Sequence, residues 1–173
     1  MKHFSLLAAG IAAIAITAAC SKGPEQRQPG MWETTAKITS LQLTGAPPEV
    51  QARANSQVGQ SRSTSECLTP EQARDPLAQM RQMMAQQGAT SNCRFSDQTF
   101  SGGTIRVHAT CPAAAGGSAE VSLEGSFTET TMQATMTMNA QGPASAAMPG
   151  VTGMRVVAES MSRRTGDCPG AAR

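Results

Sequence analysis

The chain has 173 residues, of which the first 19 read as an export signal, leaving 154 for a single domain. Lys plus Arg number 14 and Asp plus Glu 12, and losing Lys2 with the signal leaves 13 against 12, a balance with no footprint for nucleic acid or an acidic partner. Only 17 mature residues are Leu, Ile, Val or Phe, beside ten Met, one Trp and no Tyr; this excludes a polytopic membrane protein or a coiled coil and implies a thin, Met- and Ala-rich core that needs covalent support.

At the N-terminus, Met1-Lys2-His3 leads into an apolar run from Leu6 to Ala19, followed by Cys20. A positive start and about 14 apolar or small residues form a secretory signal, too short to span a bilayer as a helix. Ala18-Ala19-Cys20 resembles the bacterial lipobox, in which the thiol is lipidated and the preceding segment removed; Thr17 stands where Leu is usual. The alternative is ordinary cleavage with Cys20 left unpaired. An odd cysteine in an exported chain favours lipidation. Residues 20–29 then form the lipidated Cys20 and a polar tether with Pro24 and Pro29, reaching up to ~30 Å from the membrane. Ser21, rather than Asp, after the lipidated position resembles the outer-membrane sorting rule of Gram-negative lipoproteins. The expected location is therefore the outer membrane, lipid-anchored and facing the periplasm.

The domain is expected over residues 30–168, with 169–173 as a disordered tail. Gly30 to Thr44 reads as a long first strand, with Trp32, Thr34, Ala36 and Ile38 on one face and a bulge near Ser40. Ala46 to Ser61 is weakly patterned, a loop or a frayed helix. Thr69-Pro70-Glu71-Gln72 carries a cap residue, proline at the first helical position and Gln at the capping-box position. Asp75-Pro76 restarts that signal, and Leu77, Met80, Met83 and Met84 form one apolar stripe before Gly88.

Without Cys20 the cysteines are Cys67, Cys93, Cys111 and Cys168, an even set that suggests two disulfides in an oxidising compartment. No CxxC motif or Cys/His pair supports a zinc or redox site. Strands Cys93–Phe100 and Thr104–Cys111 flank a three-residue Ser101-Gly102-Gly103 loop. Pairing Phe100 with Thr104 sets Cys93 opposite Cys111, within disulfide reach, and leaves Cys67 to Cys168 by elimination. A second hairpin alternates strictly: Val121, Leu123, Gly125 and Phe127 on one strand, Met132, Ala134, Met136 and Met138 on the other. A loop of Thr128 to Thr131 pairs Phe127 with Met132 and Gly125 with Ala134, leaving a shallow spot at Gly125. Gln141 to Thr152 reads as a connection, and Met154 to Arg164 as the last strand.

Little in this pattern carries chemistry. His108, the sole mature histidine, shares a strand face with Arg106 and Thr110 and has no GxSxG or SxxK motif to serve. Glu120 and Glu124 share a solvated face, and Arg163-Arg164 is a surface pair. Met132, Met136 and Met138 offer thioethers to Cu(I), but they occupy core positions of a strand, where Met serves as deformable filler.

Several patterns together resemble a family labelled domain of unknown function 3617, small exported or lipid-anchored proteins of Gram-negative bacteria. They are Pro29-Gly30-Met31-Trp32-Glu33, Cys67-Leu68-Thr69-Pro70-Glu71-Gln72-Ala73, Cys93 and Cys111 around a Gly turn, the Thr/Met-rich strand Met132–Asn139, and Arg164-Thr165-Gly166-Asp167-Cys168. The resemblance covers roughly residues 29 to 168 and implies no catalytic residues. It marks Val50–Ser65 and Ala113–Gly117 as variable insertions.

The expected fold is mainly β: an antiparallel curved sheet or partial barrel of about six to seven strands with a short helical insertion. The expected function is a non-catalytic binding or structural module of the envelope, with no cofactor and no metal. Its partners would be the membrane through Cys20 and an apolar ligand or envelope protein on the concave face. The alternatives are Cu(I) binding through methionines and, more remotely, a hydrolase using His108.

Overall fold

The computed structural model describes residues 26–78, 93–112, 116–143 and 150–170. Their elements are β1 (Gly30–Thr44), α1 (Pro48–Asn55), β2 (Ser61–Leu68), α2 (Pro70–Arg74), β3 (Arg94–Ser101), β4 (Thr104–Pro112), β5 (Ser118–Phe127), β6 (Thr131–Gln141) and β7 (Gly153–Gly166). The seven strands form one open antiparallel sheet in the order β2-β1-β7-β6-β5-β4-β3. The signal (1–19), Cys20, Met80, Met83 and Met84 lie outside the described residues.

β5 and β6 pair in the register their alternation dictates: Phe127 with Met132, Gly125 with Ala134, Leu123 with Met136 and Val121 with Met138. Any one-residue slip would turn all the apolar side chains to the other face. The Gly125 spot is a close approach. A Cβ there would stand 2.1 Å from the Gln133 carbonyl oxygen and 2.8 Å from the Ala134 Cα, so only glycine lets the two backbones pass.

The β3–β4 hairpin departs from its expected register. The turn is two residues, Gly102-Gly103, both at positive φ (59° and 77°), as a primed hairpin turn requires. Ser101 therefore faces Thr104, and Phe100 faces Ile105 rather than Thr104. The one-residue slide carries Phe100 onto the apolar face, where its ring stacks on Phe127 at 4.5 Å. A bulge between Phe95 and Asp97 absorbs the extra residue and returns Arg94 opposite Thr110. Cys93 and Cys111 consequently still meet as a disulfide, with Cα atoms 4.1 Å apart. Cys67 joins Cys168 across a sequence separation of 101.

β1 has its irregularity between Ile38 and Ser40, where the alternation breaks. After it the inward positions become Leu41 and Leu43, opposite Val156 and Met154. β2 (Ser61–Leu68), whose first five residues fall in the stretch read as a variable insertion, covers only Gly30–Lys37 of β1. Beyond it, Gln51 of α1 replaces a missing strand: its Oε1 accepts from the Leu43 N–H (2.9 Å) and its Nε2 donates to the Leu41 carbonyl (3.1 Å). Backbone groups on a sheet edge need such partners when shielded from water.

α2 starts at the expected capping box. The Thr69 hydroxyl accepts from the Gln72 N–H (3.3 Å), and the Gln72 side chain accepts from the Thr69 N–H (2.8 Å). The Glu71 carboxyl is held below its ordinary pKa by its own backbone N–H and then by the Thr69 hydroxyl. The short helix sets Ala73 on Trp32 and Leu68, with Met132 packed alongside.

The lead-in to β1 is fixed from Arg27 onward, inside the segment read as tether. Gln28 donates twice to Glu129, from its backbone N–H to the carbonyl and from its side-chain amide to the carboxylate. The Trp32 indole donates to the Gln28 carbonyl (3.0 Å), and Arg164 donates to the Pro29 carbonyl (2.8 Å). Arg27 itself is buried, its guanidinium carbon 5.2 Å from the Trp32 ring and 5.6 Å from the Phe100 ring. Those rings belong to β1 and β3, five strands apart, which in a flat sheet would be about 24 Å. One side chain touches both because the sheet curls there, apolar face inward. β2 and β3 do not pair, so the curl stays open.

Candidate functional site

The inward face is built by register. Val107, Leu123, Met136, Ala158 and Ile38 stand side by side on β4, β5, β6, β7 and β1. The next row is Ala109, Val121, Met138, Val156 and Leu41, and the third is Cys111, Ala119, Ala140, Met154 and Leu43. Three consecutive rows hold no polar side chain across five strands, a patch of about 19 by 14 Å at ordinary strand spacing and rise.

Burial along this face is uneven. Toward the curled end Trp32, Ile105 and Phe127 are buried, and on β4 the burial continues through Val107, Ala109 and Cys111. From β5 to β1 the three rows are half-buried, and Met136 is 38% exposed. A contiguous apolar area of this kind on a folded domain marks a contact surface.

The opposite face is polar by the same register. Arg106, Glu124, Thr135, Glu159 and Lys37 form one cross-strand row. A depression of about 380 Å³ lies over the Gly125 approach, lined on this face by Glu124, Gln133, Thr135, Glu159 and Met161. His108 also lies here, half-buried between Asp97 on β3 and Ser122 on β5. No hydrogen bond among the described residues joins His108 to either neighbour, so the three are adjacent without being linked as a nucleophile, base and orienting acid would be.

Among the described residues, the β6 methionines do not converge on one centre. Met132 packs on the Trp32 cluster, while Met136 and Met138 lie farther along β6; four residues of strand separate Met132 from Met136 by about 13 Å. Among the described residues no group of three or more His, Cys, Asp or Glu side chains could hold a metal ion.

Arg27 is the site residue that sequence reasoning missed. Burial lowers its pKa, opposed by the nearby charge of Glu66, and its Nε is buried without a hydrogen-bond partner. Its guanidinium carbon lies over the two aromatic rings, within cation–π range of both. No local pattern distinguishes it from the polar residues before it.

No helix among the described residues is long and apolar enough to cross a membrane. A family model described as "Protein of unknown function (DUF3617)" matches residues 27–168; it starts at Arg27, the first residue pinned to the sheet. Neither the curated proteins nor the solved structures compared with the chain contain a match.

Proposed function

Because this chain belongs to the DUF3617 family, whose function is unknown, we propose its role from the sheet itself: a non-catalytic binding module that takes an apolar ligand on the inward face. The observation that carries this reading is the three-row apolar patch left half-open from β5 to β1, with Met136 38% exposed. Burial of that patch by a ligand would supply ~25 cal/mol per Å² of apolar surface covered. Among the described residues, buried Arg27, Trp32 and Phe127 bound the patch at the curled end, and the rows run on from there along the strands, a contour that suits an acyl chain or other elongated apolar group.

In this proposal the chain is exported and held at the outer membrane by a lipidated Cys20. The residues between Cys20 and Arg27 are too few to carry the curled end more than about 25 Å from the bilayer, which suits a ligand of membrane origin.

The test is titration of the exported chain, carrying Cys20→Ser, with a fluorescent long-chain fatty acid. Saturable binding is expected, and Leu123→Glu and Met136→Glu should each weaken it at least about tenfold by placing a charge in the apolar rows. Circular dichroism keeps the reading falsifiable: folded variants that bind as the parent does, or a parent that binds nothing, would sink it.

A further inference from the structure

The two margins of the sheet are not equivalent. On β3 the ladder is broken by the bulge between Phe95 and Asp97, the kind of irregularity that blunts an edge against further pairing. β2 has no such protection. It pairs with β1 through eight consecutive residues without a register shift, contains no proline, and is exposed from Ser61 to Cys67. Among the described residues its outer backbone groups have no partner, so it offers a regular strand edge.

The sequence of that edge, Ser61-Arg62-Ser63-Thr64-Ser65-Glu66-Cys67, is complementary to itself in antiparallel order. Arg62 and Glu66 lie two residues on either side of Thr64. They point to the same face of the sheet as Thr64, since alternate strand residues share a face. Laid antiparallel against its own copy about a two-fold axis at Thr64, β2 sets Arg62 opposite Glu66 of the second chain and Glu66 opposite its Arg62. Ser63 meets Ser65, and Thr64 meets Thr64. Charged residues on an edge ordinarily repel a further strand; this pair, being of opposite sign and symmetric, attracts one specific strand instead.

We propose that β2 is a homodimerisation edge, through which two copies of this chain join their sheets into one continuous fourteen-stranded antiparallel sheet. The contact is isologous, so it closes at two copies and leaves no free β2 edge for a third. It leaves the inward patch of each copy, centred on β5 to β7, clear of the junction.

Sedimentation velocity over a concentration series of the chain carrying Cys20→Ser tests this. A reversible monomer–dimer equilibrium is expected. Arg62→Glu sets like charges opposite each other twice over and should raise the dissociation constant about tenfold; Glu66→Arg should do the same. The combined Arg62→Glu/Glu66→Arg chain restores both opposite-charge pairs and should return to the parent value. Both positions are solvent-exposed; because the Glu66 charge also lies near Arg27, thermal unfolding of each variant is the folding control, and Arg62→Glu, which leaves Glu66 in place, decides the proposal if Glu66→Arg loses stability. A chain that stays monomeric at its highest soluble concentration overturns the proposal. So does a dimer whose affinity ignores the single charge reversals or is not rescued by the exchange, including one whose partner surface lies elsewhere.

Discussion

At the scale of single residues, Arg27 joins two opposing effects. Its guanidinium has left water, which lowers its pKa and leaves Nε unpartnered, yet its stem and planar head fill the space between Trp32 and Phe100. Truncation should expose the second effect and a long apolar side chain should remove the first. Arg27→Ala is expected to lose about 2 kcal/mol in urea unfolding, through lost packing. Arg27→Met, which refills the volume without a buried charge, should match or exceed the parent. If Arg27→Met falls as far as Arg27→Ala, the charge itself holds the curl. None of this was legible beforehand, because an arginine among polar residues before a strand looks like any tether arginine. Its meaning lies in two rings that are distant in sequence.

At the scale of elements, legibility followed the presence of a covered face. β5 and β6 were readable to the residue because each has one apolar and one polar side, so only one register keeps the apolar rows together. β2 was not readable. It is exposed from Ser61 to Cys67, and a strand with neither face covered needs no alternation; it is a strand because β1 offers it hydrogen bonds. The β3–β4 hairpin fell between these cases. Its cysteine pairing was derivable, but the register at the turn slid by one because burying Phe100 and using two positive-φ glycines outweigh an uninterrupted ladder. The bulge residue is then the spare one. Deleting Ser96 should leave Phe95 opposite Ala109 and Cys93 opposite Cys111, and peptide mapping of the oxidised variant should recover the Cys93–Cys111 cross-link. Failure to recover it would mean that the bulge itself positions Cys93.

At the scale of the molecule, the two disulfides clip opposite corners. Cys67–Cys168 ties the β2 margin to the chain after β7 at the curled end, and Cys93–Cys111 ties the β3 margin at the open end. Their sequence separations are 101 and 18. On the chain-entropy account the long loop contributes about 4.7 kcal/mol and the short one about 3. Replacing Cys67 and Cys168 together by Ser should therefore lower the unfolding midpoint more than replacing Cys93 and Cys111, as measured by calorimetry. The reverse order would place the more costly constraint at the open end of the sheet.

The fixed lead-in at Arg27 has a mechanical consequence. The chain enters the sheet at the curled end through β1, an interior strand bonded on one side to β2 and on the other to β7. Tension on the N-terminus, directed away from that end, acts along the length of β1 and loads its hydrogen bonds in parallel. They must yield together instead of peeling open one after another. In the proposed lipid-anchored arrangement, this geometry would let the domain resist being pulled apart at its point of attachment.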